Sequence, residues 1–104
     1  LLAKKTRPSI IREKVRPKLP AIIAVDNLVS DTYTVIEIYA HDRIGLLYSI
    51  TSTLARLGLY IDVAKIATRG DQAADVFYVK DIFGHKIGDQ AKLDRIKTEV
   101  LKVV

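Results

Sequence analysis

The stretch that most narrows what this chain can fold into is the turn His41-Asp42-Arg43-Ile44-Gly45-Leu46-Leu47, because the hydrophobic period changes across it. Before it, residues 32–40 alternate. Thr34, Ile36, Ile38 and Ala40 fall on one side and Tyr33, Val35, Glu37 and Tyr39 on the other, the pattern of a strand with one covered face. After it, Leu47, Ile50, Leu54 and Leu57 step by three, four and three, which predicts an amphipathic helix over 45–57 with Leu46 widening the stripe. Gly58 follows where a left-handed C-cap is wanted. A helix that starts here has first-turn N–H groups with no intrahelical partner, a ready site for a small anion or a carboxylate. Gly45 lets a ligand approach the backbone closely and frees the N–H groups of Leu46 and Leu47, while Asp42 can cap the helix or meet an ammonium group. A molecule with both carboxylate and amine, an amino acid, suits both features. A plain capped turn fits the same residues equally well.

The rest of the chain supplies partners for this strand and helix. Residues 21–25, Ala-Ile-Ile-Ala-Val, read as a strand between Pro20 and Asp26-Asn27, and the short connection to the next strand predicts an antiparallel hairpin. Residues 59–68 form another strand whose alternation breaks: Ile61 and Val63 share one face, Ala64 and Ile66 the other, which a bulge near Val63-Ala64 reconciles. Arg69-Gly70-Asp71-Gln72 is a hairpin turn, and residues 73–80 return as a strand with Phe77 and Val79 facing one way, Val76 and Tyr78 the other. After a loop over 81–88, Asp89 is placed to cap a last helix striped by Leu93, Ile96, Val100 and Val103. The order ββαββα predicts an α+β, ferredoxin-like domain: a four-stranded antiparallel sheet with two helices on one face. Its N-terminal strand takes the edge that a final strand holds in the β-α-β-β-α-β order. The uncovered sheet face would carry Val35, Tyr39, Val76 and Tyr78, an expected interface, although tyrosine and valine are also simply good strand formers.

Composition limits what such a domain can do. The 104 residues suit one domain, expected over 21–104 behind a basic linker or tail over 1–20. Of the formal charge of +5, the first 18 residues hold +6 and the remainder −1, so the basicity is a tail on a nearly neutral body. That tail has no aromatic residue to stack on bases, which favours a solvated linker over a nucleic-acid or membrane arm. No run approaches a membrane span and the start lacks a signal-peptide core, so the expectation is a soluble, cytoplasmic protein. With Leu1 first and no methionine, the sequence reads as a piece of a longer chain. Cysteine is absent, and His41 and His85 sit in separate loops without a serine partner, so no nucleophilic triad can be assembled. His41-Asp42 looks like the dipeptide of a metal-dependent phosphohydrolase but supplies too few ligands. Asp62, Asp75 and Asp81 show no metal spacing either, and neither catalysis nor a cofactor is expected of this segment.

Taken together, Asp42-Arg43-Ile44-Gly45-Leu46-Leu47 and Leu54-Ala55-Arg56-Leu57-Gly58-Leu59 resemble the signature of ACT domains, ferredoxin-like modules that bind amino acids and pair through their sheets. Asp26-Asn27 with Ser30, Ala64-Lys65-Ile66-Ala67-Thr68, Asp75-Val76-Phe77-Tyr78-Val79-Lys80-Asp81 and Gly84-His85-Lys86-Ile87 resemble more narrowly the last ACT domain of the bacterial PII uridylyltransferase/uridylyl-removing enzymes. That resemblance covers residues 17–104. It implies a regulatory part, without catalytic residues, of a nucleotidyltransferase whose other domains use a divalent metal. In it, bound glutamine would report nitrogen sufficiency and shift the enzyme from uridylylating the PII protein toward removing the uridylyl group. It further implies that Asp42, Arg43, Ile44, Gly45, Leu46 and Leu47 form one wall of the amino-acid site. Ile61, Asp62 and Val63 of an adjacent ACT domain, in a homodimer or a tandem pair, would form the other. Ile44 stands where the family commonly has proline, so the turn lacks a locked φ. Plant ACT-repeat proteins share much of the motif.

Overall fold

The computed structural model describes residues 19–104, so the basic tail lies outside the described residues except for its last two positions. Seven elements follow: β1 (Ile22–Asp26), β2 (Thr34–His41), α1 (Leu46–Arg56), β3 (Tyr60–Lys65), β4 (Thr68–Arg69), β5 (Gln72–Lys80) and α2 (Gln90–Leu101). The sheet runs β1-β2-β5-β3 with every neighbouring pair antiparallel, and β4 pairs only with β5. β1 occupies the expected edge beside β2, registering Ile23 with Ile38 and Val25 with Ile36. The four long strands stand in the expected arrangement; the fifth, of two residues, joins Thr68, the far end of the stretch read as one strand over 59–68, to Arg69 of the expected turn. It detaches after Lys65 and rejoins around the Gly70 turn, where Ala74 N–H donates to Ala67 C=O at 2.9 Å.

One face of the sheet and the inner sides of both helices make a single core. Ile36, Ile38 and Ala40 of β2 and Ala73, Phe77 and Val79 of β5 meet Leu46, Ile50 and Leu54 of α1 and Ile96 and Val100 of α2. Fully burying such a side chain contributes about 1.5–3 kcal/mol each, which holds the helices on this face. The buried stripe of α1 starts at Leu46, 3% exposed, rather than at Leu47, 44% exposed, since the two adjacent leucines leave the phase of the helix open until the core is packed. The bulge also lies elsewhere than expected: the register shifts between Ile61 and Val63, so Asp62 is the extra residue. Ile61 therefore packs on the core and Val63 turns to the open face. The Asp62 carboxylate accepts from the Tyr33 hydroxyl at 3.1 Å and pairs with Lys80 at 3.6 Å, partners from across the sheet that hold the bulge there. Asp89 caps α2 as expected, accepting from Ala91 N–H.

At the end of the sheet away from the His41 turn, the loops after β1 and β5 are locked together. The fully buried Thr34 hydroxyl donates to Asn27 Oδ1 at 2.6 Å and accepts from Ile87 N–H at 2.9 Å, while Asn27 Nδ2 donates to Ile87 C=O at 2.6 Å. Lys86 Nζ donates to the carbonyls of Asn27 and Ser30. Replacing Thr34 with valine keeps the shape but strands the buried Ile87 N–H and the half-buried Asn27 Oδ1. Thr34→Val should lower unfolding free energy by about 1–3 kcal/mol, read as an earlier urea midpoint with an unchanged m-value.

Candidate functional site

The β2–α1 turn is built around one backbone conformation. Gly45 takes φ 85° as the N-cap of α1, a left-handed geometry that costs a side-chain-bearing residue about 1–2 kcal/mol. No side chain caps the helix, so Asp42 does not play the capping part that the spacing allowed; its N–H instead donates to Asp71 C=O at 2.7 Å, tying the turn to the β4–β5 hairpin. Leu46 N–H bonds back to Arg43 C=O at 3.2 Å, and Ser49 N–H bonds to Gly45 C=O at 2.9 Å. Within the first turn of α1, the N–H groups left without an acceptor among the described residues are those of Leu47 and Tyr48, one position further along than the pair expected from the sequence.

Beside this turn lies a cleft of about 330 Å³. Asp42, Arg43, Gly45, Leu46, Leu47 and Tyr48 line one side; Ile66, Thr68, Ala73 and Asp75 line the other. Five of the six turn residues singled out in the sequence are thus brought together. Ile44, 99% exposed, is not among the cleft's walls. Ile61, Asp62 and Val63 stand on the edge strand β3 and do not line it; Ile61 borders a separate groove between α1 and β3, which shares only Tyr48 with the cleft. On the open sheet face, Val35 is already buried within its own chain, opposite Tyr78, whereas Tyr39 is 39% exposed. Tyr78 and Val76 are half-buried: the Tyr78 ring meets Tyr33 edge-on at 5.9 Å and lies under Lys65 Nζ at 5.3 Å. This face is a lysine-sheathed aromatic pair more than a bare apolar patch.

Charge in the cleft is unevenly satisfied. The Arg43 guanidinium donates to Val103 C=O at 2.6 Å and reaches Ser49 Oγ at 3.4 Å, so it fastens the segment after α2 to the turn. Asp75 projects from the inward side of β5, is 3% exposed, and accepts from Ala67 N–H at 3.3 Å. Burial pushes its pKa up and the charge of Asp42 adds to that, against the opposing effect of the Ala67 hydrogen bond. Asp75 escapes notice as a site residue when strand acids are searched for metal spacing. The signal was parity, since it shares the inward register of Ala73, Phe77 and Val79, where an acid is out of place. His41 Nδ1 lies 4.0 Å from Asp71, and among the described residues no three histidine, cysteine or acidic side chains gather to hold a metal ion.

A carboxyl group whose folded pKa exceeds its unfolded value is disfavoured when ionised, so its cost to the fold is full above the raised pKa and gone below the unfolded value of 3.8. Asp75→Asn should therefore melt at a higher temperature than the parent at neutral pH. The gap should close as the pH is lowered through the carboxyl's titration, followed by circular dichroism.

Residues 29–103 match the family model described as the ACR family N-terminal ACT domain. The chain is 45% identical over 100 residues to a bifunctional uridylyltransferase/uridylyl-removing enzyme of Azospirillum brasilense, covering 96% of this chain and 11% of that protein. Proteins of the same description from Ruegeria pomeroyi and Cereibacter sphaeroides are 42% and 40% identical over 102 residues, again with 98% of this chain and 11% of theirs covered. The chain thus spans about a tenth of the length of these curated relatives. No solved structure matches it.

Proposed function

The chain belongs to the ACT domain family, and from that membership we propose that it is a regulatory amino-acid-binding module that senses glutamine within a uridylyltransferase/uridylyl-removing enzyme. The observation that carries this reading is the cleft at the β2–α1 turn. It presents two unpaired N–H groups, of Leu47 and Tyr48, toward a carboxylate and the acid Asp42 toward an amine, among apolar walls suited to an aliphatic stem. In the longer enzyme, glutamine held here reports nitrogen status and favours removal of the uridylyl group from the PII protein over its addition. The module itself carries no catalytic residue, and a divalent metal serves the enzyme's other domains.

A second ACT domain, a copy or a tandem neighbour, completes the site. β3 is the sheet edge with nothing paired on its outer side among the described residues, and the groove beside it, about 530 Å³ and free of charged side chains, runs up to Tyr48 at the cleft. A neighbour seated along β3 brings Ile61 to Val63 near the partner's turn. Because the Asp62 side chain is engaged by Tyr33 and Lys80, the contribution of this stretch is its backbone and the side chain of Val63. The same exposed edge favours one alternative, a module that only pairs or docks and ignores amino acids.

Calorimetric titration with L-glutamine and the other nineteen amino acids tests the proposal. Saturable heat and a raised melting temperature with glutamine are expected, and Gly45→Val, which forces a β-branched side chain into the left-handed region, should weaken or abolish both. A dimer that shows neither heat nor thermal shift at millimolar concentrations of any amino acid would establish the pairing alternative instead.

A further inference from the structure

Resting on the reading that an amino acid occupies the cleft, we infer that Asp75 receives the ligand's ammonium group, so that the site admits free α-amino acids and rejects their N-acylated forms. Asp75 is on β5 with Ile38 as its register partner across the sheet, a position otherwise given to core side chains. Its Oδ1 takes the Ala67 N–H; its Oδ2 has no donor among the described residues. Since no buried side-chain oxygen among those residues lacks a partner, Oδ2 is open to the cleft that Asp75 helps to line. A carboxylate that is 3% exposed and accepts a single hydrogen bond is poorly satisfied, and such a group is retained at a cost unless something positive meets it.

Nothing among the described residues does so. From the β2–α1 turn the charged groups facing the cleft are Asp42, of the same sign, and Arg43, whose guanidinium is turned to Val103 C=O. From α1 come Leu46, Leu47 and Tyr48, from the stretch between β3 and β5 Ile66 and Thr68, and from β5 itself Ala73, none of them an acid or a base of the Lys, Arg or His kind. Two carboxylates without a third ligand make a weak metal site but a good ammonium site, because an ammonium group has three N–H donors to share between Asp75 and Asp42. With the ammonium drawn to this floor, the ligand's carboxylate is left for the N–H groups of Leu47 and Tyr48 on the opposite wall. The cleft then reads both ends of a zwitterion, and a neutral amide in place of the amine strands Asp75 unpaired.

Calorimetry with L-glutamine and N-acetyl-L-glutamine, on the parent chain and on Asp75→Asn, tests the assignment. The parent should bind glutamine and give no saturable heat with the acetylated form, and Asp75→Asn should lose affinity for glutamine on the order of tenfold or more. Where the pH lies within the carboxyl's titration the parent should also release protons on binding, because an ammonium group lowers the pKa of the carboxyl it meets. The observed heat should then vary with the ionisation enthalpy of the buffer, a dependence absent from the variant. Glutamine binding within about twofold of the parent in Asp75→Asn, or equal binding of the acetylated form, overturns this assignment and leaves the sensing function standing. A parent chain silent toward glutamine and the other nineteen amino acids overturns the sensing function itself, and this assignment with it. If Asp75→Asn fails to fold, the acetylated analogue decides the matter on the parent: binding of N-acetyl-L-glutamine equal to that of L-glutamine refutes a role for Asp75.

Discussion

Gly45 holds φ at 85°, and that one left-handed residue decides where the first turn of α1 points. β2 delivers the chain to His41 at the edge of the core; the bend then lets Leu46 enter the core at 3% exposure while Leu47 and Tyr48 keep their N–H groups unpaired. The bend is braced from two sides. Asp42 N–H holds the β4–β5 hairpin, and the Arg43 guanidinium holds the segment after α2, so elements distant in sequence share one junction. A rigid junction of this kind is what preorganises two donors at a fixed spacing.

The second feature of the junction works against the fold. An acid on the inward side of the central strand β5 replaces what would otherwise be core, and the pKa of Asp75 moves up because the folded chain disfavours its charge. Sites that bind charged ligands commonly carry such a cost, and the opposite end of the domain shows the contrast. There Asn27, Thr34 and Ile87 satisfy one another completely, and the Lys86 ammonium is met by two carbonyls. One end of the sheet is closed by hydrogen bonds; the other leaves polar groups facing a cleft.

Much of this was legible in the residues. Alternation in residues 32–40 and 73–80 located the two central strands, and the three-four-three steps located both helices, because those periods follow from burying one face. What stayed hidden depends on contacts between elements. Leu46 and Leu47 are equally apolar, so only packing into the shared core chooses between them. Asp62 is the bulged residue because Tyr33 and Lys80 draw its carboxylate across the sheet, which spacing along 59–68 does not reveal. Leu46 N–H turns back to Arg43 C=O in a tightened first turn, moving the free donors on to Leu47 and Tyr48. The turn residues of the cleft were readable as a motif, whereas its sheet wall, Ile66, Thr68, Ala73 and Asp75, required the hairpin to be folded.

The central claim is that the first turn of α1, opened by Gly45, is where an amino acid binds. The most direct measurement is a ¹H–¹⁵N correlation titration with L-glutamine that follows the backbone amides one by one. The amides of Leu47 and Tyr48 should shift saturably and together, while that of Leu28 at the opposite end of the sheet stays in place. Saturable shifts elsewhere with the Leu47 and Tyr48 amides unmoved, or no shifts at all, would contradict the account.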